Sequence, residues 1–119
     1  MMSSNRKIGQ YGEDLACKFL TDNGYKVIER NVHFSKFCEI DIIAKYKNEL
    51  IFVEVKTRKN NKSGSPFEAI TYTKYKHLKQ GIFMFLSSYK EKYSNFRIDV
   101  IGIVLEPETK IEHLKNISL

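Results

Sequence analysis

The sequence predicts an α/β fold in which a mixed central β-sheet is flanked by helices. Two stretches, residues 6–23 and 73–89, repeat apolar residues at helical spacing. Between them lie two runs rich in β-branched residues, 39–44 and 50–56, and a similar run, 96–105, follows the second helix. A chain of 119 residues with 42% hydrophobic residues can form one core, so we expect a single domain over residues 1–119.

The first helix, predicted for residues 6–23, carries an apolar stripe and ends before Gly24, a residue type that often terminates helices. The stripe consists of Ile8, Gly12, Leu15, Ala16, Phe19 and Leu20. Glu13 lies beside this stripe, so its carboxylate can reach a site at the edge of the sheet. The alternative is an ordinary exposed glutamate that interacts favourably with the helix dipole. A strand is predicted next, over residues 25–32.

A β-hairpin is predicted in the middle of the chain, with strands 39–44 and 50–56 joined by polar residues. A two-residue turn at Lys47 and Asn48 would fix the register, and asparagine tolerates the left-handed backbone that such turns need. A four-residue loop from Tyr46 to Glu49 would preserve the same pairing, whereas a loop of three residues would turn every side chain of one strand to the opposite face unless a bulge restored the parity. The turn therefore decides which side chains meet.

The two-residue turn places two carboxylates together, because it sets Asp41 opposite Glu54 and Glu39 opposite Lys56. Carboxylates that converge among apolar residues need a compensating cation, proton or hydrogen-bond network. Mg²⁺ or Mn²⁺ favours the oxygens that Asp41, Glu54 and the Val55 carbonyl offer. Lys56 could orient a water or neutralise a phosphate in metal-assisted phosphodiester hydrolysis. The alternative is a solvated strand face with ordinary ion pairs.

Basic residues flank this hairpin. The chain has 20 Lys and Arg against 14 Asp and Glu, a net charge of +6 and a pI near 9.3, which favours a polyanionic partner. The cations cluster just after the carboxylates and at the start of the next helix, with tyrosines between them. The residues predicted to bind nucleic acid are Arg58, Lys59, Lys62, Lys74 and Tyr72. The alternative is that these side chains only solubilise a loop and a helix face.

The remaining elements follow from turn signals and periodicity. Residues 60–66 form a loop rich in Gly, Ser, Asn and Pro, which is either a flap over the substrate or a connection. The second helix, 73–89, buries Leu78, Ile82, Phe85, Leu86 and Tyr89. A strand over 96–105 is followed by a break at residue 107 and by a tail, 111–119, predicted as a short strand or turn.

The order Asp…Glu-x-Lys on a hairpin behind an amphipathic helix resembles the PD-(D/E)xK nuclease superfamily, which has a restriction-endonuclease-like fold. More closely, several segments are similar to the YraN-like family of uncharacterised bacterial proteins. They are residues 12–16, 24–25, 30–31, 39–44 and 52–58, followed by 68–70, Lys74 and 97–100. Archaeal Holliday-junction resolvases are a more distant likeness. In those proteins a glutamate of the first helix completes the metal site, and Glu13 occupies the matching place.

The resemblance implies a single nuclease-like domain that hydrolyses phosphodiester bonds with Mg²⁺ or Mn²⁺, on DNA of branched or other non-standard structure. Asp41, Glu54, Lys56 and Glu13 are the expected catalytic residues, and Asp41, Glu54 and Val55 the expected metal ligands. One alternative is a nucleic-acid-binding module of the same fold that does not cleave. Another is a protein-interaction domain whose carboxylates form only ion pairs. Metal dependence separates the first function from the others, and salt-sensitive nucleic-acid binding separates the remaining two.

We expect DNA rather than RNA as the partner, and no membrane. The longest apolar run, 82–86, is too short to span a bilayer, residues 1–10 lack an apolar signal core, and Cys17 and Cys38 match no disulfide framework. A cytoplasmic location fits reduced thiols. A domain of this size contacts only a short length of duplex by itself, so a homodimer is a further possibility.

Overall fold

The computed structural model describes residues 4–36, 38–62 and 64–118, and it has an α/β architecture. In these residues two α-helices flank one five-stranded sheet, which confirms the predicted α/β class. The helices are α1 (Ser4–Asp22) and α2 (Tyr72–Ser88). The strands are β1 (Lys26–His33), β2 (Glu39–Tyr46), β3 (Glu49–Arg58), β4 (Asn95–Val104) and β5 (Lys110–Leu114).

The sheet is mixed and has the strand order β1-β2-β3-β4-β5. Only β3 and β4 run parallel, and the other neighbours are antiparallel. Parallel neighbours need a crossover connection, which the segment carrying α2 supplies. As the central strand, β3 is covered on both faces, and residues 50–55 are buried. This position explains why the second strand of the hairpin is apolar at almost every residue.

Two apolar cores, one on each face of the sheet, hold the helices. On the α1 face Ala16 and Leu20 pack against alternate sheet residues, which are Ile42, Ala44, Ile51, Val53, Val55, Ile101 and Ile103. On the α2 face Leu78, Ile82 and Phe85 pack against residues that include Ile40, Ile43, Leu50, Phe52 and Ile98. The predicted apolar stripes of both helices therefore face the sheet. Burial of apolar side chains is the dominant favourable contribution to folding, which explains this orientation.

The hairpin forms with the predicted two-residue turn. Lys47 and Asn48 have φ angles of 48° and 70°, and the strand pairs run from Tyr46–Glu49 to Ile42–Val53. The predicted pairing of Asp41 with Glu54 and of Glu39 with Lys56 was wrong, because the paired residues of β2 and β3 stop at Ile42–Val53. Glu39 pairs instead with His33 of β1. The physical reason lies in the side chain of Asp41, which accepts a backbone hydrogen bond from β3 at this point.

Several element boundaries differ from the prediction by one or two residues. Helix α1 begins at Ser4, β3 extends to Arg58, and α2 begins at Tyr72, where the Thr71 hydroxyl caps the helix by accepting from the Lys74 amide. The predicted 60–66 loop ends in an unpredicted 3₁₀ helix, Pro66–Ala69. The predicted tail, 111–119, contains β5, which pairs with β4. Residue 63 of the loop and residue 119 of the tail lie outside the described residues.

Cys17 and Cys38 are free thiols, the former partly buried and the latter buried. In the described part of the chain, no helix has both the length and the apolar character that crossing a membrane requires.

Candidate active site

Asp41 and Glu54 lie where β2 and β3 separate. One carboxylate oxygen of Asp41 (Oδ2) accepts a hydrogen bond of 2.8 Å from the Val55 amide, so this side chain takes the place of a strand partner. Glu54 is almost fully buried, with 3% of its side chain exposed. The amide and carbonyl of one strand residue point to the same side, so the Val55 carbonyl also faces the gap. The gap thus brings together two carboxylates and a backbone carbonyl.

Two lysine ammonium groups approach the same oxygen of Glu54. The Lys74 nitrogen (Nζ) lies 2.5 Å from Oε1 of Glu54, and the Lys56 nitrogen lies 3.8 Å from it. Lys56 comes from β3, two residues beyond Glu54, whereas Lys74 comes from the first turn of α2. Lys74 was predicted to bind a phosphate. In the structure its ammonium is paired with the carboxylate instead.

Burial and the negative charge of Glu54 raise the pKa of Asp41 to about 8, although the hydrogen bond from the Val55 amide acts in the opposite direction. The charges of Glu13 and Glu39 raise it further. Asp41 therefore holds a proton over much of the neutral range. The carboxylate pair is compensated in two ways, by a proton on one member and by lysine ammonium groups on the other.

The two lysines respond to their surroundings in opposite directions. Burial lowers the pKa of Lys56, and the hydrogen bond and positive charge of Lys74 lower it further. Burial also lowers the pKa of Lys74, but the charge and hydrogen bond of Glu54 outweigh it and leave the pKa above its ordinary value. Lys74 therefore holds its proton more firmly than an ordinary lysine, and Lys56 gives up its proton more readily.

A cleft of about 140 Å³ opens onto these groups from the α2 side. Besides Asp41, Glu54 and Lys74, it is lined by Lys36, Glu39, His77 and Leu78. The sequence had assigned no role to Lys36 or Glu39. Both could have been found from the sequence, because strand alternation places Glu39 on the same face as Asp41 and Lys36 lies just before β2.

Glu13 lies close to this site, where its carboxylate contacts two residues of β1. Its carboxylate lies 3.8 Å from the Arg30 guanidinium, and the Asn31 side chain hydrogen bonds to it. Burial raises the pKa of Glu13, and these two neighbours oppose the rise. Glu13 lines a second cleft of about 430 Å³ on the α1 side, and Glu39 lines both clefts. Glu13 thus acts on the site through its charge, which raises the pKa of Asp41.

Close packing of α1 on β3 fixes the position of Glu13. A Cβ atom built on the neighbouring Gly12 would lie 2.8 Å from the Cβ of Thr57, closer than real Cβ contacts come. Only glycine lets the helix backbone approach β3 this closely. The first helix is thereby held beside the end of the strand that carries Glu54 and Lys56.

The other residues predicted to bind nucleic acid lie around the site rather than in it. Arg58 is the last residue of β3, and together with Lys59 it lines a cleft of about 290 Å³ beside the first turns of α1. Lys62 lies in the following loop and is exposed. Tyr72 is 63% exposed at the start of α2, with the Lys76 ammonium 5.6 Å from its ring centre. These residues therefore flank the carboxylate pair, some at and beyond the end of β3 and one at the start of α2.

The donor set of the gap fits a hard divalent cation. Within residues 4–36, 38–62 and 64–118, no three His, Cys, Asp or Glu side chains are grouped closely enough to form a metal site by themselves. Magnesium, however, is often bound by one or two carboxylates and keeps several waters. In the same described ranges, no buried side-chain nitrogen or oxygen lacks a hydrogen-bond partner. A cation entering the gap would therefore have to displace an existing partner.

Comparison with known proteins identifies the family. The model of the uncharacterised protein family UPF0102 matches residues 12–103, a span that contains the carboxylates and both lysines. A UPF0102 protein of Syntrophomonas wolfei is 38% identical over 113 residues, which is 94% of this chain and 97% of that protein. UPF0102 proteins of Caldicellulosiruptor saccharolyticus and Rhodococcus opacus are 41% identical over 108 residues and 37% over 117 residues, covering 91% and 97% of this chain and 91% and 98% of the relatives. The chain therefore belongs to the uncharacterised family UPF0102, which is the YraN-like family that its motifs predicted.

Proposed function

We propose that this protein is a metal-dependent nuclease of the PD-(D/E)xK superfamily, with a restriction-endonuclease-like fold and a resolvase-like activity on branched or otherwise non-standard DNA. One observation carries the proposal. Asp41, Glu54 and Lys56 converge at the point where β2 and β3 separate, with a backbone carbonyl facing the same gap. A buried glutamate beside a partly buried aspartate is costly to maintain for stability alone, which favours a functional role.

In this proposal Asp41, Glu54 and the Val55 carbonyl hold Mg²⁺ or Mn²⁺, and Glu13 assists through water. The cation would stabilise negative charge on the phosphate and activate the attacking water. Lys56 would orient that water or contact a phosphate oxygen, since its ammonium lies at the rim of the carboxylate pair with 29% of its side chain exposed. Asp41 would lose its proton when the cation binds, because a metal ligand must be deprotonated.

Basic groups on both sides of the carboxylates would bind the DNA backbone. Lys59 and Lys62 follow β3 on one side, and Tyr72 opens α2 on the other, where its exposed ring could stack on a base. Each lysine that contacts a phosphate contributes about one to the salt dependence of binding. Lys59→Gln and Lys62→Gln should therefore each reduce this slope, whereas Lys90→Gln, beyond the far end of α2, should leave it unchanged.

The test is Mn²⁺ binding by calorimetry, with and without a four-way DNA junction, in the wild type, Asp41→Asn and Asp22→Asn. Asp22 is an exposed carboxylate paired with Lys18 near the end of α1, so its variant controls for the loss of one charge. We expect the wild type and Asp22→Asn to bind the cation and Asp41→Asn not to bind it. Cleavage of the labelled junction should then require Mg²⁺ or Mn²⁺ and both Asp41 and Glu54. Failure of the wild type to bind the cation, even with DNA present, would overturn the proposal.

The second candidate is a nucleic-acid-binding module that does not cleave. The pairing of Lys74 with Glu54 favours it, because a lysine can make a carboxylate pair a purely structural feature. This candidate predicts salt-sensitive junction binding that is the same in EDTA and in Mn²⁺, with no cleavage of junction, flap or duplex DNA.

A further inference from the structure

Lys74 is paired with Glu54, one of the two carboxylates that would hold the proposed cation. Its ammonium lies 2.5 Å from Oε1 of Glu54, a side chain with 3% exposure. The same oxygen belongs to the donor set that faces the gap between β2 and β3. A carboxylate buried to this degree has few other directions from which a cation can approach it.

The fold holds Lys74 independently of the hairpin that carries the carboxylates. Its amide donates to the Thr71 hydroxyl at 3.1 Å, which fixes the first turn of α2. Leu78 and Ile82 then anchor the helix in the core on this face of the sheet. The lysine side chain therefore reaches Glu54 from a separate, firmly attached element. Its 35% exposure places it at the mouth of the cleft, where it can move without disturbing the core.

An ammonium and a divalent cation at one carboxylate oxygen repel each other strongly, since water screens charges poorly at a buried site. We propose that Lys74 is a built-in counter-ion that competes with the divalent cation for Glu54, so that metal binding requires the lysine to leave the carboxylate. This inference rests on the proposed function, because it assumes that the carboxylate pair receives a cation. Beyond that function, it assigns Lys74 the role of limiting how much of the protein carries a bound cation.

The experiment measures Mn²⁺ affinity by calorimetry in the wild type, Lys74→Met, Lys74→Arg and Lys76→Met. Lys76 lies on the same helix over the ring of Tyr72, so its variant removes an equal charge without touching Glu54. We expect Lys74→Met to bind Mn²⁺ about tenfold more tightly than the wild type, because a hydrogen bond to a charged group no longer opposes the metal. Lys74→Arg keeps the competing charge and should bind no more tightly than the wild type, and Lys76→Met should match the wild type.

Thermal unfolding provides a second readout that does not depend on activity. In EDTA, Lys74→Met should have a lower Tm than the wild type, because Glu54 has lost its closest cation. Saturating Mn²⁺ should remove most of this difference, since the metal replaces the ammonium. The Tm of Lys76→Met should respond to Mn²⁺ as the wild type does.

The outcomes separate this inference from the proposed function. If the wild type binds Mn²⁺ and Lys74→Met binds it equally well or more weakly, competition is refuted while the metal site stands. If only Lys74→Met binds Mn²⁺, Lys74 excludes the metal from Glu54 altogether, which supports competition and overturns the proposed metal-dependent activity of the wild type. If neither protein binds Mn²⁺, both the inference and the proposed metal site fail.

Discussion

Asp99 lies at the centre of a buried polar network on the α1 face, beside Val53 on the neighbouring strand and on the opposite face from the cleft that Glu54 lines. It is fully buried, and its two oxygens accept four hydrogen bonds. Oδ1 accepts from Arg97 at 3.0 Å and from the Asn116 amide at 2.9 Å. Oδ2 accepts from Arg97 at 3.3 Å and lies 2.7 Å from the His113 ring nitrogen, which must be the donor because an ionised carboxylate can only accept. The network ties β4 to β5 and to the segment that follows it.

Replacing Asp99 with asparagine should destabilise the protein by about 3 kcal/mol. Asparagine keeps one acceptor oxygen, so its amide nitrogen would face the donors of Arg97 and His113 in place of Oδ2. Two hydrogen bonds involving a charged group are lost, each worth about 1.5 kcal/mol, and Arg97 is left with less compensation at a largely buried position. The loss is a large fraction of the total stability of about 5–15 kcal/mol expected for a domain of this kind.

Urea unfolding followed by circular dichroism measures this loss, with Asp22→Asn as the control. Asp22 is an exposed partner of Lys18 one helical turn away, and its variant should unfold at the wild-type midpoint. A loss below about 1 kcal/mol in Asp99→Asn would show that the network is not a significant source of stability.

The same network predicts how stability depends on pH. Burial raises the pKa of Asp99, but hydrogen bonds from His113, the Asn116 amide and Arg97 outweigh it and hold the pKa below its ordinary value. A lowered folded-state pKa means that the stabilisation is complete above the unfolded pKa of about 3.9 and is lost as the pH falls from there through the folded pKa. The difference in unfolding free energy between the wild type and Asp99→Asn should therefore be constant at neutral pH and shrink below about pH 4. A difference that grows on acidification would contradict this account.

Three further substitutions test the packing. In urea unfolding, Gly12→Ala should lower the free energy of unfolding by about 1–3 kcal/mol, because its Cβ collides with Thr57. Gly9→Ala, with no atom within 4 Å of its Cβ, should instead stabilise the helix. Equal effects of the two variants would disprove the close approach of α1 to β3. Asn48→Val should be about 1–2 kcal/mol less stable than Asn48→Gly, because a β-branched residue is strained at a φ of 70°, and equal midpoints would argue against the two-residue turn. Phe52→Ala should cost about 3–5 kcal/mol, since this fully buried ring leaves a cavity between α2 and the sheet, and a loss below about 1 kcal/mol would mean that the site refills.

Much of the fold followed from local patterns. The two helical stripes, the β-branched strands and the turn at Lys47 and Asn48 depend on interactions between residues near in sequence, which periodicity and turn preferences describe well. The turn also set the register of the strand pairs from Tyr46–Glu49 to Ile42–Val53. The end of the strand pairing was not predictable in this way, because it depends on the Asp41 side chain bonding to the Val55 amide.

By itself, the sequence determined the α/β class and the register of the hairpin near its turn, and it singled out Asp41 and Glu54 as neighbouring carboxylates, since these follow from residue type and spacing. Only the tertiary structure decided the partners of those carboxylates. It brought Lys74 from a distant helix onto Glu54, held Glu13 against Arg30 at the edge of a second cleft, and joined Arg97, Asp99 and His113 in one buried network. These contacts link residues far apart in sequence, and they arise because packing of both helices on the sheet, rather than any local preference, sets which charged side chains must share a low-dielectric space.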